Sequence, residues 1–321
     1  MSTALPPRIQ GYAPALASCE ARLESALGAM KTTLAGPAAE TLRAGGKRLR
    51  PLLVYCCGGD SAGHRSRLDA AAAAVELVHM ATLVHDDVLD GSDLRRGQPT
   101  VVYRHGREPA VQTGDLLFAT AFGELARARS APAISILAGA ARDLARGEIA
   151  QTNRTHDVGV TVEEYLERVR LKTASLFSAA CRLGATLGGG TTEEADLLTE
   201  YGSRIGIAFQ ILDDIIDVSG EQDVTGKPRG ADLRDGTVTL PMILAIREEP
   251  TLRDRIMAAM DGGPAGDVCD LLAEHPATEM ARTAALDLVE QAHEIARGPG
   301  LGNSDGGALE EIASGVVERY A

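Results

Sequence analysis

Six aspartates in two groups are the residues of this chain best suited to chemistry. The groups read DDVLD and DDIID and consist of Asp86, Asp87, Asp90, Asp213, Asp214 and Asp217. In a helix, residues four apart share a face and the intervening neighbour lies at its edge, so each group brings three carboxylates together. Carboxylate oxygens suit Mg²⁺, which keeps several waters and shares its coordination shell with substrate phosphates. The spacing therefore predicts magnesium sites that bind a phosphorylated substrate.

The repetition of the pattern favours metal binding over ordinary surface charge. A single DDxxD group is more often a solvated helix end. The first group ends a predicted helix over Leu68–Asp90, where acids repel one another and meet the negative end of the helix dipole, so a cation would relieve both effects. The second ends a predicted helix over Glu193–Asp217, whose acidic side also carries Gln210. We expect its core side to be formed by Ile205, Phe209, Leu212 and Ile216. Two such helices facing each other across a bundle could hold metal ions with a diphosphate between them.

Basic residues near the acidic groups are suited to hold that diphosphate. Arg95 and Arg96 directly follow the first group, and guanidinium forks bind phosphate oxygens in bidentate fashion. The GGKRLRP segment places Lys47, Arg48 and Arg50 beside a glycine pair that allows a ligand close to the backbone. Alone, such a segment is more often an ordinary basic turn. In an acidic protein with two metal groups, it becomes a candidate for a second anion site.

Three further positions are candidates on weaker grounds. Hydrogen bonds to phosphate could come from Lys172 with Thr173, and from Lys227 in a glycine-rich segment. Either lysine could instead be a solvated charge. His79 lies seven residues before Asp86 on the same line of the predicted helix. A lone histidine on a mostly apolar face is usually a core residue, so the core role and the functional role both stay open.

The whole chain favours a single all-helical domain over residues 1–321. Aromatic residues make up only 3% of the sequence and Trp is absent, which favours packed helices over sheets. The net charge of −13 argues against a general nucleic-acid-binding surface. Five cysteines without CxxC spacing indicate reduced core residues. The sequence shows neither a secretion signal nor a membrane span, so we expect a cytoplasmic protein.

These motifs together resemble the trans-isoprenyl diphosphate synthase family, also called polyprenyl synthetases, from about Gly45 to Pro241. The resemblance implies an all-helical isoprenoid synthase fold with a central cavity, a requirement for Mg²⁺, and a homodimer. It implies condensation of isopentenyl diphosphate with an allylic diphosphate. In place of a second family lysine, in a GKxT pattern, this chain has Thr237, which cannot supply that charge.

The resemblance also assigns roles to individual residues. Those similar to isopentenyl diphosphate ligands are Lys47, Arg50, His79 and Arg96. At the family positions beside the allylic diphosphate, this chain has Arg95, Lys172, Thr173, Gln210 and Lys227. The two aspartate groups match the aspartate-rich motifs that hold the metal. The residues implied in catalysis are Asp86, Asp87, Asp90, Arg95, Lys172, Asp213, Asp214 and Lys227. The released diphosphate, rather than a side chain, is implied to take the proton lost at the end of the reaction.

Product length is implied by the small residues before the first aspartate group. In the family, an aromatic residue four or five positions before the first aspartate closes the product channel early. Here those positions are Thr82 and Ala81, and Val78 lies one turn further back. We therefore expect a product of geranylgeranyl length at least, and more readily a medium or long polyprenyl diphosphate.

Three other functions compete with this interpretation. A class I terpene cyclase ionises a similar substrate but binds one diphosphate, so it has no use for a second anion site. A silent partner subunit of a heteromeric synthase should lack the six aspartates. A purely structural helical scaffold leaves the paired acidic groups unexplained.

Overall fold

The protein is helical almost throughout, as the sequence predicts. The computed structural model describes residues 6–59, 63–95, 97–220 and 229–318. Within these residues the strands are β1 (Leu94–Arg95) and β2 (Gln98–Pro99), which pair antiparallel in one short hairpin. The prediction of an all-α fold is confirmed.

The first ten helices lie between Pro7 and Gly188, and the first aspartate group is at the end of the fifth. Their bounds are α1 Pro7–Gly11, α2 Ala13–Gly28, α3 Ala35–Arg43, α4 Leu49–Gly58, α5 Arg65–Leu89, α6 Val101–His105, α7 Arg107–Ala126, α8 Ala131–Asn153, α9 Val162–Val169 and α10 Ser175–Gly188. A π-helical segment, Arg170–Ala174, lies between α9 and α10. The helices that follow are α11 Thr192–Ser219, α12 Ala231–Arg234, α13 Leu240–Glu248, α14 Leu252–Met260, α15 Ala265–Glu274, α16 Pro276–Arg297 and α17 Gly306–Glu318.

The described helices form two compact units, each built from several separate stretches of sequence. Unit 1 comprises residues 1–141, 176–202 and 293–312, and unit 2 comprises residues 142–175, 203–292 and 313–321. Neither unit is continuous in sequence.

The centre of unit 1 is α5, which carries the first aspartate group at its C-terminal end. Its alanine run, residues 70–74, is buried, and the helix packs against α2, α4 and α7. The contact with α7 is close because Gly114 leaves room for the imidazole of His85, which any Cβ at that position would strike. Packing on several sides fixes the end of α5 in place.

In unit 2, α9 begins at a well-formed cap. Thr161 and Glu164 form a capping box, in which each side chain accepts a hydrogen bond from the other residue's backbone N–H. Further along α9, the buried guanidinium of Arg168 donates to the carbonyl of Val238 at 2.6 Å. That hydrogen bond ties α9 to the segment before α13.

The core side of α11 differs in part from the prediction. Ile205 and Leu212 are buried as expected, but Phe209 and Ile216 are only half-buried. Ile211, Ile215 and Asp214 are buried instead. Simple periodicity places the acidic group on the arc opposite the core stripe, whereas α11 has buried residues on more than one side.

Two other predictions concern the cysteines and the absence of a membrane-spanning helix. All five cysteines are free and buried, which confirms the prediction of reduced core residues. In the described part of the chain, α5 is long and apolar enough to cross a membrane by length and composition alone, but 72% of its most apolar window is buried inside the protein. Such burial is typical of a core helix.

Candidate active site

The first aspartate group lies where α5 ends. Asp87 is buried, and one of its carboxylate oxygens accepts a hydrogen bond from Nε of Arg95 at 2.8 Å. Asp86 is half-buried, and Asp90, which caps the helix, is exposed. The hairpin of β1 and β2 thus returns Arg95 to the acidic helix end. Arg95 and Asp87 together form one ion pair beside the more accessible Asp86 and Asp90.

A small cavity lies next to this ion pair, within unit 1. Its walls include Gly45 of the GGKRLRP segment, His79 and Arg95. Lys47 is exposed, and Arg50 is half-buried with its guanidinium 4.5 Å from the ring centre of Phe177. The structure therefore brings His79 and Arg95 to the same cavity as Gly45, which favours the functional role of His79 over a core role.

The second aspartate group lies in unit 2, and its three members differ in environment. Asp213 is exposed, whereas Asp214 is buried. The oxygens of Asp214 accept hydrogen bonds from the Tyr165 hydroxyl at 2.6 Å and the Gln210 amide at 2.8 Å. Asp217 accepts hydrogen bonds from the backbone N–H groups of Ala231 and residue 232, so it holds the start of α12.

The π-helical segment positions Lys172 and Thr173. Thr173 donates from its hydroxyl to the Gln210 side-chain oxygen at 2.7 Å, and Lys172 pairs with Glu148 at 2.6 Å. The backbone of Gly147 lies so close that a Cβ there would be 2.6 Å from the backbone nitrogen of Lys172. One chain of hydrogen bonds therefore runs from Thr173 through Gln210 and Asp214. Single π turns inside helices often occur at functional sites, and this one holds two predicted diphosphate ligands.

Described residues hold no group of three or more His, Cys, Asp or Glu side chains close enough to bind a metal ion by themselves. The donor chemistry nevertheless fits Mg²⁺, because this ion is usually held by one or two carboxylates, with waters and substrate phosphates completing its shell. Asp86, Asp90 and Asp213 are the more accessible carboxylates, while Asp87, Asp214 and Asp217 are bonded to the protein.

Two predicted ligands, Arg96 and Lys227, lie outside the described residues. The three predicted chain-length residues are all on α5. Val78 and Ala81 are fully buried, and the half-buried Thr82 donates from its hydroxyl to the carbonyl of His79 at 2.8 Å. Thr237, which stands where the family has a second lysine, is half-buried directly before Val238.

Sequence reasoning missed Tyr165, Glu148 and Glu76, and it placed Arg48 among the basic residues of an anion site rather than in an ion pair. Tyr165 and Glu148 bond to Asp214 and Lys172, and Glu76 and Arg48 form a buried pair that lines the cavity. For Glu76 alone a signal was available, because it lies three residues before His79 and hence on the same helix face. The contacts of the others depend on long-range packing.

Burial raises the pKa of Asp214 to about 7, while the hydrogen bonds from Tyr165 and Gln210 act in the opposite direction. A carboxyl whose pKa is raised on folding contributes stability below its ordinary pKa of 3.8, and that contribution is lost as pH rises to about 7. We therefore expect Asp214→Asn to gain stability relative to the wild type between pH 4 and pH 8. Urea unfolding midpoints at both pH values measure the difference. Asp213→Asn, at an exposed position, is the matched control, and a wild-type advantage at pH 8 would contradict the assignment.

Comparison with known proteins agrees with this geometry. Residues 31–273 match the family described as polyprenyl synthetase. The chain is 39% identical over 259 residues to the heptaprenyl diphosphate synthase component 2 of Geobacillus stearothermophilus, which covers 80% of this chain and 79% of that protein. It is 34% identical over 296 residues to a short chain isoprenyl diphosphate synthase of Methanothermobacter thermautotrophicus, covering 89% and 90% of the two chains.

A solved structure shows the same fold. The crystal structure of a polyprenyl synthase from Caulobacter crescentus CB15, complexed with calcium and isoprenyl diphosphate, matches with a TM-score of 0.90 and 33% identity. The match covers 98% of this chain and 97% of that one. Fold and aspartate groups together define an all-helical prenyltransferase. The chain belongs to the polyprenyl synthetase family.

Proposed function

We propose that this enzyme joins isopentenyl diphosphate to an allylic diphosphate and releases a trans-polyprenyl diphosphate of geranylgeranyl length or longer, together with diphosphate. The observation that supports it most is the combination of two aspartate groups with a cavity lined by part of the GGKRLRP segment. Each of two helices carries an aspartate group, and the cavity beside the first group is lined by Gly45 of the GGKRLRP segment, His79 and Arg95. A synthase that binds two diphosphate substrates needs both.

We assign Lys47, Arg50, His79 and Arg96 to isopentenyl diphosphate. Arg95, Lys172, Thr173, Gln210 and Lys227 belong to the allylic diphosphate in this proposal. The two aspartate groups would hold Mg²⁺, which when bound offsets the negative charge that develops on the departing diphosphate. Lys172 and Arg95 now pair with Glu148 and Asp87, so their cationic groups are already oriented by carboxylates before substrate binds.

The chemical step balances without a side-chain base. The carbon–oxygen bond of the allylic diphosphate breaks, and the alkene of isopentenyl diphosphate forms a new carbon–carbon bond to the allylic carbon. The electrons that left the alkene are restored by loss of a proton, which the released diphosphate accepts. Arginine and lysine side chains stabilise the leaving group as its charge grows. Their task is electrostatic and does not include proton transfer.

The decisive experiment is incubation of the purified chain with labelled isopentenyl diphosphate, Mg²⁺ and several allylic primers, followed by chain-length analysis. We expect elongated products that depend on both substrates and disappear with EDTA. A terpene cyclase would consume the allylic diphosphate without isopentenyl diphosphate. A silent partner subunit would give no product when incubated alone. The heptaprenyl synthase relative is named a component, which makes the test of the isolated chain informative.

Lys47→Ala is expected to raise the KM for isopentenyl diphosphate about tenfold and to change the KM for the allylic primer less than twofold, because the two anion sites use different residues. Initial rates at varied concentrations of each substrate measure the split. Lys31→Ala, another exposed lysine of unit 1, should leave both KM values unchanged. Equal increases in the two KM values would indicate that both substrates use the same anion site, which contradicts the proposal.

Three further properties stay proposals. We propose a homodimer, which sedimentation at micromolar concentration tests, and a cytoplasmic location, which fractionation tests. We also propose that units 1 and 2 unfold as one domain, because each is assembled from separate stretches of sequence. A single cooperative transition in urea, seen equally by circular dichroism and by probes placed in each unit, would support that proposal.

A further inference from the structure

Arg48, in the middle of the GGKRLRP segment, is bonded to the protein itself. Its guanidinium donates to Glu76 at 2.8 Å, to the carbonyl of Leu42 at 3.3 Å, and to Glu20. The side chain is 10% exposed. Arg48 therefore connects α2, α3 and α5 to the start of α4, and its charge is already matched by two carboxylates.

The backbone of Arg48 is in an unusual conformation. Its φ of 49° and ψ of 36° are left-handed, a region that costs a residue with a side chain about 1 kcal/mol or more. The same residue is the N-cap of α4, and its carbonyl accepts the hydrogen bond from the Leu52 N–H. The left-handed turn thus sets the direction in which Lys47 and Arg50 leave it. Contacts of the guanidinium hold the turn in place.

Glu76 is the other half of the pair. It lies on α5, three residues before His79, and is 3% exposed. Burial raises its pKa, and Arg48 acts in the opposite direction. A buried carboxylate without its cation is strongly destabilising, so the two side chains depend on one another. Both line the cavity that also contains Gly45, His79 and Arg95.

We propose that Arg48 and Glu76 are a positioning pair that fixes the GGKRLRP turn against α5, so that Lys47, Arg50 and His79 present one preformed site for isopentenyl diphosphate. This inference rests on the proposed function and deepens it. Neither residue needs to touch the substrate. Loss of the pair should weaken isopentenyl diphosphate binding far more than allylic binding, because among the described residues assigned to the allylic diphosphate Arg95 alone borders this cavity.

The test compares four variants by steady-state kinetics and by calorimetric binding of isopentenyl diphosphate. Arg48→Gly suits the left-handed backbone but removes the anchor. Arg48→Lys keeps the charge and loses the planar fork. Glu76→Gln keeps the shape and removes the charge. Glu124→Gln is the matched control, because Glu124 is also buried in unit 1 and paired with an arginine, Arg22, at 2.7 Å.

We expect Arg48→Gly and Glu76→Gln to raise the KM for isopentenyl diphosphate about tenfold or more, with the allylic KM within twofold and kcat little changed. Arg48→Lys should fall between these variants and the wild type, and Glu124→Gln should match the wild type. Wild-type KM values in folded Arg48→Gly would overturn the proposal, because the turn would then need no anchor.

A double variant separates positioning from stability. Replacing both partners by methionine, Arg48→Met with Glu76→Met, removes the pair without leaving an isolated buried charge, a change that is often neutral for stability. We expect a native melting temperature with the raised KM retained, whereas a normal KM would show that the pair is only structural. Calorimetry separates this inference from the proposed function: wild-type binding that Arg48→Gly loses supports the pair even if no primer is elongated. Absence of wild-type binding overturns it.

Discussion

Asp86→Ala and Asp213→Ala are each expected to lower kcat by about 10³-fold or more while leaving the ligand-free protein at least as stable as the wild type. A metal that stabilises the leaving group is worth several kcal/mol, and each 1.36 kcal/mol is about tenfold in rate. Asp86 lies among like charges at a helix C-terminus and Asp213 is exposed, so neither contributes much to the core. Initial rates at saturating substrate and thermal unfolding without ligand measure the two effects.

The control separates the loss of a metal ligand from the loss of any surface acid. Asp287→Ala changes an exposed aspartate on α16 and should leave kcat unaltered. Mg²⁺ with inorganic diphosphate should stabilise the wild type by mass action, by about 2.7 kcal/mol at 100 times the dissociation constant, and the two site variants far less. If activity falls only in proportion to a fall in melting temperature, the assignment of these aspartates to a metal site is wrong.

Much of the site could be predicted because its signals are local. The spacing of Asp86, Asp87 and Asp90 on one helix, and the capping box at Thr161, are patterns within a few residues of sequence, and the structure keeps them. The all-α fold follows from composition and periodicity in the same way. Such patterns are preserved in the structure because residues a few positions apart in one continuous helix have a fixed relative arrangement.

What sequence reasoning missed depends on partners that are distant in sequence. Arg48 bonds to Glu20 and Glu76, each 28 residues away, and neither pairing has a local signature. Asp214 was predicted to lie on the side of α11 opposite its core stripe, but it is buried, and Tyr165, 49 residues earlier, donates a hydrogen bond to it. The π turn that holds Lys172 shifts the helix register, and Gly147 packs closely against it; periodicity within the helix detects neither feature. Long-range packing, rather than residue type, decides these details.

The proposed product channel beside α5 gives the second large expected effect. Ala81 is fully buried and Thr82 is half-buried, one turn before the first aspartate group. One helical turn is about 5.4 Å, roughly the length of one isoprene unit, so a blocked position close to Asp86 should stop elongation early. Phenylalanine at Ala81 would overpack a filled core, which typically costs 1–3 kcal/mol. The half-buried Thr82 is therefore the better position for the test.

Thr82→Phe is expected to shorten the product distribution by one or more isoprene units while leaving the rate of the first condensation within about threefold of the wild type, because the ring fills the channel rather than the diphosphate sites. Chromatography of the dephosphorylated products measures the shift. Thr82→Val removes the hydroxyl that donates to the His79 carbonyl without adding bulk, so it should keep the wild-type distribution. If the Val variant also makes shorter products, the cause is the lost hydrogen bond rather than the bulk of the ring. If the wild type already stops at farnesyl diphosphate, or if the Phe variant leaves the distribution unchanged, another element sets product length and the role of α5 in it is wrong, while the reaction class stands.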